Sequence, residues 1–162
     1  MGRVVLPALC NVFGTFLILA VIAAMAIPAL PRFTDYEIYN VISGSMEPEI
    51  PVGSLIIVEP RDPKTIEEGE IIAFTSNGTV VTHRVVDNFP FESEFITKGD
   101  ANLEEDLSSV SYNDLIGSVK SHYDHLGAVL QYLTTAAGKV YLLLFVACGV
   151  MFQILAGRLR SE

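Results

Sequence analysis

Two long apolar segments lie near the two ends of the chain. Residues 8–31 contain no charged side chain, and within residues 139–157 the run from Tyr141 to Ala156 is apolar apart from Gln153. A helix needs about 20 apolar residues to cross the hydrocarbon core of a bilayer. The pattern therefore predicts two transmembrane helices, over residues 8–31 and 139–157.

The first apolar segment has a competing interpretation as a cleaved signal peptide, because Ala24-Met25-Ala26 resembles a small-residue cleavage site. The apolar region of a signal peptide is usually about 7–15 residues long, and this segment is longer, so we expect an uncleaved anchor. The start of the second helix is less sharply defined. Residues 126–138 are moderately apolar, and we predict an amphipathic juxtamembrane segment there, with Lys139 extending toward polar surroundings.

The region between the apolar ends has the alternation and the turn residues of β structure. Short segments rich in β-branched residues are separated by turns that contain glycine or proline. Asn77-Gly78, between two of these segments, is the preferred sequence of a type I′ hairpin turn. We predict a mainly β fold, a small antiparallel barrel or sandwich, with strands over residues 54–59, 70–75, 79–86, 93–99 and 114–120.

The charged residues predict an orientation. Arg3 precedes the first apolar segment, and Arg158 and Arg160 follow the second, so the positive-inside tendency places both termini in the cytoplasm. Residues 33–138 hold 18 Asp and Glu against 5 Lys and Arg, a net charge of −13, which is typical of a translocated domain. The predicted organisation begins with a cytoplasmic N-terminus (1–7), a transmembrane helix (8–31) and an extracytoplasmic β domain (32–125). A juxtamembrane segment (126–138), a second transmembrane helix (139–157) and a cytoplasmic tail (158–162) follow.

Composition and cysteine content exclude several function classes. The chain is 51% hydrophobic, high for a small soluble protein, and its net charge of −9 without any basic stripe argues against a nucleic-acid partner. Cys10 and Cys148 both lie in apolar segments, and no Cys/His cluster with ligand spacing is present. We therefore expect no metal site, no disulfide framework and no cofactor.

A serine loop and a strand histidine are candidates for chemistry. Ser43-Gly44-Ser45 presents small hydroxyls, which are poor nucleophiles unless a neighbouring base takes the proton. His83 lies in a predicted strand, where alternation places it on the same face as Val81 and Val85 and turns it inward. The alternative is a structural core histidine, which is the commoner situation for a histidine on an apolar face.

A general base also needs a group that orients it, and carboxylates are abundant here. Asp100 follows the predicted strand 93–99 and opens a loop that reaches Asp106. Aspartate is common as a turn former, so any one of these side chains is also explained without catalysis. Spacing alone does not select Asp100 or Asp106 over Glu104 or Glu105.

Three segments, in this order, resemble the type I signal peptidase family: "SGSMEP", "VVTHRVV" and "ITKGDANLEED". They look like the endoplasmic-reticulum-type branch, in which histidine replaces the lysine base of most bacterial enzymes. The resemblance spans residues 40–120, and the flanking apolar segments fit the family layout. Three ordered segments are far more specific than a lone serine motif.

The resemblance implies a role for each matching residue. Ser45 matches the nucleophile, His83 the general base, and Asp106 the usual third member of the triad. Asp100 matches the aspartate of the "KGD" segment and is expected to be a second essential or structural carboxylate. Ser43 occupies the position of a side-chain oxyanion donor in related bacterial enzymes, and the backbone N–H of Ser45 is a further natural donor.

The implied activity is that of a membrane-bound serine endopeptidase that removes signal peptides from secreted preproteins. The family recognises small side chains before the scissile bond and binds the substrate as an added strand. Expected partners are signal-peptide-bearing preproteins, the lipid bilayer and the protein-export translocon. The expected location is the plasma membrane with the catalytic domain outside the cytoplasm, or the lumenal side of the endoplasmic reticulum in a eukaryote. Ser45 lies about 14 residues beyond the first apolar segment, within about 45 Å of extended chain from the bilayer.

The sequence departs from the eukaryotic pattern after Asp100. It reads Ala101-Asn102 where eukaryotic members typically carry Asn-Asn, and it has a second apolar helix that their catalytic subunits typically lack. Both features favour a prokaryotic member.

Two other functions stay open: an inactive membrane-anchored β domain that binds or scaffolds, and a Ser-Lys self-processing protease of related fold. The base of the latter would be Lys64 or Lys98, neither of which lies in the middle of a predicted strand.

Overall fold

The computed structural model describes residues 2–26 and 35–161. Residues 27–31, the last part of the first predicted transmembrane helix, lie outside the described residues. The chain divides into two compact units, one made of residues 1–30 and 130–162 and the other of residues 31–129.

The first unit is built on two long helices, α1 (Gly2–Ala26) and α3 (Ala136–Ser161), and a short helix α2 (Leu126–Thr134) precedes α3. The ranges Val5–Ala26 and Ala136–Arg160 are long and apolar enough to cross a membrane, as the apolar pattern predicts. The start of α3 has a local cause. Thr135 Oγ1 accepts a hydrogen bond from Gly138 N at 3.0 Å, which satisfies one of the free N–H groups of the first turn.

Small residues let α1 and α3 pack closely within this unit. A Cβ added to Gly14 would lie 2.6 Å from the carbonyl oxygen of Gly149, so only glycine fits at this crossing. Beside it, the rings of Phe13 and Phe152 meet edge to face with centroids 5.5 Å apart.

The second unit is a seven-stranded antiparallel sheet with strands β1 (Glu37–Asn40), β2 (Leu55–Glu59), β3 (Ile71–Ser76), β4 (Thr79–Phe89), β5 (Glu94–Lys98), β6 (Val110–Ser111) and β7 (Leu115–Tyr123). Their order in the sheet is β1-β2-β7-β3-β4-β5-β6. The predicted antiparallel β domain and its five predicted strands are confirmed. Two short strands, β1 and β6, were not predicted, because four and two residues are too few to establish an alternating pattern.

The predicted hairpin turn joins β3 to β4. Ser76 pairs with Thr79, and the two residues between them, Asn77 and Gly78, have φ angles of 50° and 76°. Both central residues of a type I′ turn need positive φ, which asparagine and glycine adopt most easily. The hairpin therefore fixes which residues of β3 lie opposite His83.

Alternate residues of β3 contribute to two apolar clusters. Ile72 and Phe74 belong to the first, together with Ile66, Val85, Phe95 and Val110. Ala73 belongs to the second, together with Met46, Ile50, Ile56 and Val58. Since successive strand residues point to opposite faces, the two faces of β3 are both covered. The second cluster includes Met46, so the serine loop is attached to the core immediately after Ser45.

Phe95→Ala should lower the free energy of unfolding by about 3–5 kcal/mol, because removing a fully buried ring leaves a cavity in the first cluster. Phe91→Ala is the matched control, since Phe91 is fully exposed, and it should change the stability by no more than about 0.5 kcal/mol. Chemical denaturation of the full chain in detergent micelles measures both. Equal losses in the two variants would contradict this assignment of the core.

Candidate active site

His83 lies on the buried face of β4, as the alternation predicts. Its relative exposure is 9%, it pairs across the ladder with the fully buried Ile72, and its ring meets the Phe74 ring edge to face. Val85, two residues later, is buried on the same face. The strand thus holds the imidazole between apolar neighbours, so its ring nitrogens need specific polar partners.

Asp106 supplies the partner of His83. The two side chains meet at Nδ1 and Oδ2, 2.5 Å apart. When Nδ1 carries the proton and donates a hydrogen bond to the carboxylate, Nε2 of the neutral ring is free to accept a proton. This is the tautomer that a general base requires. Asp106 lies in an irregular segment, and its own N–H donates to the carbonyl oxygen of Thr97 at 2.9 Å.

Asp100 has a different partner. Arg84 donates to both of its carboxylate oxygens, from Nε at 2.8 Å and from an Nη at 2.7 Å. Arg84 follows His83 in β4, so its side chain leaves the opposite face of the strand. The hydrogen-bonded carboxylate raises the pKa of the Arg84 guanidinium, and the other Nη of Arg84 donates to the carbonyl oxygen of Gly69 at 2.7 Å. Asp100 therefore ties its turn to Arg84 and not to the imidazole.

Ser45 is held through its main chain against the turn that contains Asp100. Its carbonyl oxygen accepts from Ala101 N at 2.9 Å, and a Cβ added to Gly99 would lie 2.6 Å from the same oxygen. The absence of a side chain at Gly99 is thus what lets the serine loop approach. Ser45 Oγ lies 3.4 Å from Ser43 Oγ, so the two predicted hydroxyls are neighbours.

The register of β4 and β5 brings the serine loop next to the histidine strand. Arg84 pairs with Lys98, so continuing the antiparallel register by one residue puts Gly99 opposite His83. Ser45 is packed on that glycine. Among the residues that the structure describes, no hydrogen bond joins Ser45 to His83. Catalytic hydrogen bonds are often long without substrate and tighten in the reacting complex.

Two cavities border these side chains. One of about 350 Å³ is lined by Ser43 and Ser45 and mainly by apolar residues of the serine loop and of β1, β2 and β4. A larger one of about 1130 Å³ is lined by His83, Asp106 and the loop around them. Val81 borders both cavities. Ser45 and His83 therefore each border a cavity.

Two residues of this arrangement were not singled out from the sequence. Thr97 donates from Oγ1 to Asp106 Oδ2 at 2.6 Å, and Arg84 binds Asp100. A threonine in a strand is ordinary, and an arginine beside a histidine carries no signal of its own. No group of three or more metal-ligating side chains is found in the part of the chain that the structure describes.

Part of the chain matches a known protein family. The sequence profile of the family described as "Signal peptidase, peptidase S26" matches residues 13–96, a range that includes Ser43, Ser45 and His83 and ends before Asp100. The chain is 41% identical over 99 residues to Signal peptidase I W of Bacillus subtilis (strain 168), covering 59% of this chain and 52% of that protein.

Fungal proteins are also similar. Over 101 residues the chain is 36% identical to the signal peptidase complex catalytic subunit SEC11 of Lodderomyces elongisporus, covering 55% of this chain and 60% of that protein. Over 138 residues it is 30% identical to the SEC11 subunit of Ajellomyces capsulatus (strain NAm1 / WU24), covering 70% of this chain and 73% of that protein. The chain thus spans between about half and three fifths of the first two relatives.

Asp106→Asn and Asp100→Asn should act differently on the imidazole. Replacing Asp106 removes the carboxylate that accepts from His83 Nδ1, so the resonance of that proton should shift or disappear. Replacing Asp100 breaks the bond to Arg84 on the other face and should leave the resonance in place. Nitrogen-15 NMR of histidine-labelled full chain in micelles measures this, with the exposed Glu105→Gln as control. A shift caused by Asp100→Asn alone would contradict the pairing described here.

Proposed function

The chain belongs to the signal peptidase family, peptidase S26, and from this premise we propose that it is a membrane-bound serine endopeptidase that removes N-terminal signal peptides from secreted preproteins. The observation that carries the proposal is the Nδ1 contact between His83 and Asp106, with Ser45 packed on the neighbouring Gly99. A buried histidine oriented by a carboxylate next to a loop serine has the composition of a Ser-His-Asp triad.

In the proposed mechanism, His83 Nε2 takes the proton of Ser45 Oγ as the oxygen attacks the scissile carbonyl carbon. The carbonyl oxygen becomes an oxyanion that accepts hydrogen bonds from the Ser45 N–H and the Ser43 hydroxyl. The imidazolium, stabilised by Asp106, gives its proton to the leaving amine as the peptide bond breaks. His83 then deprotonates a water that attacks the acyl carbon, and the imidazolium returns this proton to Ser45 Oγ as the ester bond breaks and the new C-terminal carboxyl group leaves.

Asp100 has a supporting role in this proposal. Its two bonds to Arg84 fix the turn of residues 99–101, and the N–H of Ala101 holds the Ser45 carbonyl oxygen. A carboxylate in this position stabilises the main chain that presents the nucleophile. It does not contact the reacting atoms.

The substrate is proposed to bind in extended form beside β4. Among the described residues, Thr79–Thr82 pair with β3 on one side and have no ladder partner in β5 on the other, because pairing with β5 begins at Arg84. These residues border the 350 Å³ cavity that also contains Ser45. Main-chain pairing to such an edge reads no sequence, and the mainly apolar cavity beside Ser45 would receive the side chains that precede the scissile bond.

The two long apolar helices support a place in the membrane. We propose that both termini face the cytoplasm, following the basic residues Arg3, Arg158 and Arg160, and that the acidic β domain lies on the extracytoplasmic side of the plasma membrane. In a eukaryotic cell the same orientation would place it in the endoplasmic reticulum lumen. The proposed partners are preproteins, the lipid bilayer and the protein-export translocon.

The surroundings of the lysines favour histidine over lysine as the base. Lys98 pairs with Arg84 in the β ladder, and its Nζ donates to the Leu103 carbonyl oxygen at 3.2 Å. Lys64 lies in an exposed 3-10 turn, Pro63–Thr65, outside the sheet. A Ser-Lys protease would need one of them beside Ser45. The alternative of an inactive binding domain is tested by the cleavage assay itself.

Ser45→Ala should lower the rate of preprotein cleavage by about 10³-fold or more, because it removes the oxygen that attacks the scissile carbonyl in the proposed mechanism. The assay uses the purified full chain in proteoliposomes with a secretory preprotein, and wild-type cleavage there also tests whether further subunits are needed. Ser121→Ala on β7 is the control and should cleave like the wild type. Full activity of Ser45→Ala would overturn the nucleophile assignment.

His83→Ala should abolish cleavage, whereas His83→Lys should retain part of the activity with its optimum at higher pH. A lysine amine acts as a base only when neutral, and its ordinary pKa of about 10.4 lies well above the histidine value of about 6.5. The pH dependence of kcat/KM for the three proteins measures this. An unchanged pH optimum in His83→Lys would argue against a base at this position.

A further inference from the structure

Thr97 is a fully buried polar residue on an otherwise apolar strand face. It lies in β5 two residues after Phe95, and neither side chain is exposed to solvent. A buried hydroxyl requires a hydrogen-bond partner, and that of Thr97 donates to Asp106 Oδ2 at 2.6 Å. This is the same oxygen that lies 2.5 Å from His83 Nδ1. One carboxylate oxygen therefore joins the threonine to the imidazole.

Thr97 holds Asp106 at two points. Besides the side-chain bond, the carbonyl oxygen of Thr97 accepts from Asp106 N at 2.9 Å. Asp106 itself lies outside helices and strands, and its side chain is 23% exposed, so its own segment does little to fix the carboxylate. The anchor, in contrast, lies in a paired strand and has a β-branched side chain with few accessible rotamers.

The register explains why this threonine is the one in reach. Thr97 pairs with Val85, and Val85 shares its strand face with His83. Thr97 and His83 are therefore diagonal neighbours on one face, at a separation that side chains can bridge. The Asp106 carboxylate, which comes from the loop, contacts both side chains. The neighbouring Lys98 pairs with Arg84 and faces the other way.

We propose that Thr97 is a positioning residue for the reaction: its hydroxyl and carbonyl fix the Asp106 carboxylate, which in turn holds the His83 imidazole in the orientation that accepts the Ser45 proton. The inference rests on the proposed function for its effect on rate. Thr97 is fully buried and lines neither of the two cavities, so we expect it to act on the chemical step and not on substrate binding.

The first test compares Thr97→Val, which keeps the shape and removes the hydroxyl, with Thr97→Ser, which keeps the hydroxyl. Thr97→Val should lower kcat for preprotein cleavage about 10- to 100-fold with KM within about twofold, because a hydrogen bond to a charged group is lost. Thr97→Ser should stay within about threefold of the wild type. Thr65→Val, at an exposed threonine that borders neither cavity and whose hydroxyl donates to the Asp62 carbonyl oxygen, is the control and should not alter kcat. Equal losses in Thr97→Val and Thr97→Ser would overturn the proposal.

A double-mutant cycle distinguishes positioning from a general loss of structure. In the Asp106→Asn background, Thr97→Val should lower kcat by less than about twofold further, since the group that Thr97 holds is already gone. The same fold-loss in both backgrounds would show that Thr97 acts independently of Asp106 and would contradict the proposal.

A readout without catalysis separates this inference from the proposed function. In histidine-labelled full chain in micelles, Thr97→Val should shift the Nδ1 proton resonance of His83, as Asp106→Asn does, while Thr97→Ser should keep the wild-type resonance. Were the wild type unable to cleave any preprotein while this pattern held, the function would fail and the positioning would stand. Were cleavage normal and both kcat and the resonance unchanged in Thr97→Val, the positioning would fail and the function would stand.

Discussion

The pairing of β4 with β5 is the constraint on which the candidate site depends. Arg84 opposite Lys98 decides that His83 and Thr97 share one face and that Arg84 leaves by the other. A slip of one residue would exchange the two faces of β4, exposing the imidazole and driving a guanidinium into the apolar core. The burial of Val85 and Phe95 next to the site opposes such a slip, because both would lose their contacts. Core packing and site geometry are therefore fixed by the same ladder.

The Asp106 carboxylate belongs to a loop and contacts side chains of two paired strands, β4 and β5. Functional groups often lie on loops, and the loop needs an anchor if the group is to keep its direction. Here the anchor consists of hydrogen bonds to one strand residue, and the strand on the other side supplies the imidazole. In partly buried surroundings such bonds strengthen one another, and each also removes the cost of an unsatisfied polar group. The network is thus both structural and, on the proposed mechanism, catalytic.

How much of this the sequence could predict depends on the range of each interaction. The burial of His83 and the hairpin at Asn77-Gly78 are local, so alternation and turn preference predicted both correctly. The short strands β1 and β6 gave no periodic signal. The choice between Asp100 and Asp106 depends on strand register, which is a tertiary property that spacing along the chain does not contain. The family resemblance favoured Asp106 there, and neither source pointed to Thr97, because threonine in a strand is common for its β propensity alone.

Asp100 and Asp106 can both be needed for activity although they contact different side chains, Arg84 and His83. The turn between β5 and Asp106 contains a glycine that admits the Ser45 carbonyl oxygen and an N–H at Ala101 that binds it. Asp100 lies between these two residues and fixes the turn to Arg84 with two charge-assisted hydrogen bonds. The bonds between Asp100 and Arg84 lie on the face of β4 away from the imidazole. Their loss would release the main chain that holds the proposed nucleophile. On this account a carboxylate is required for activity without touching the reacting atoms, since small displacements of a nucleophile are enough to slow a reaction.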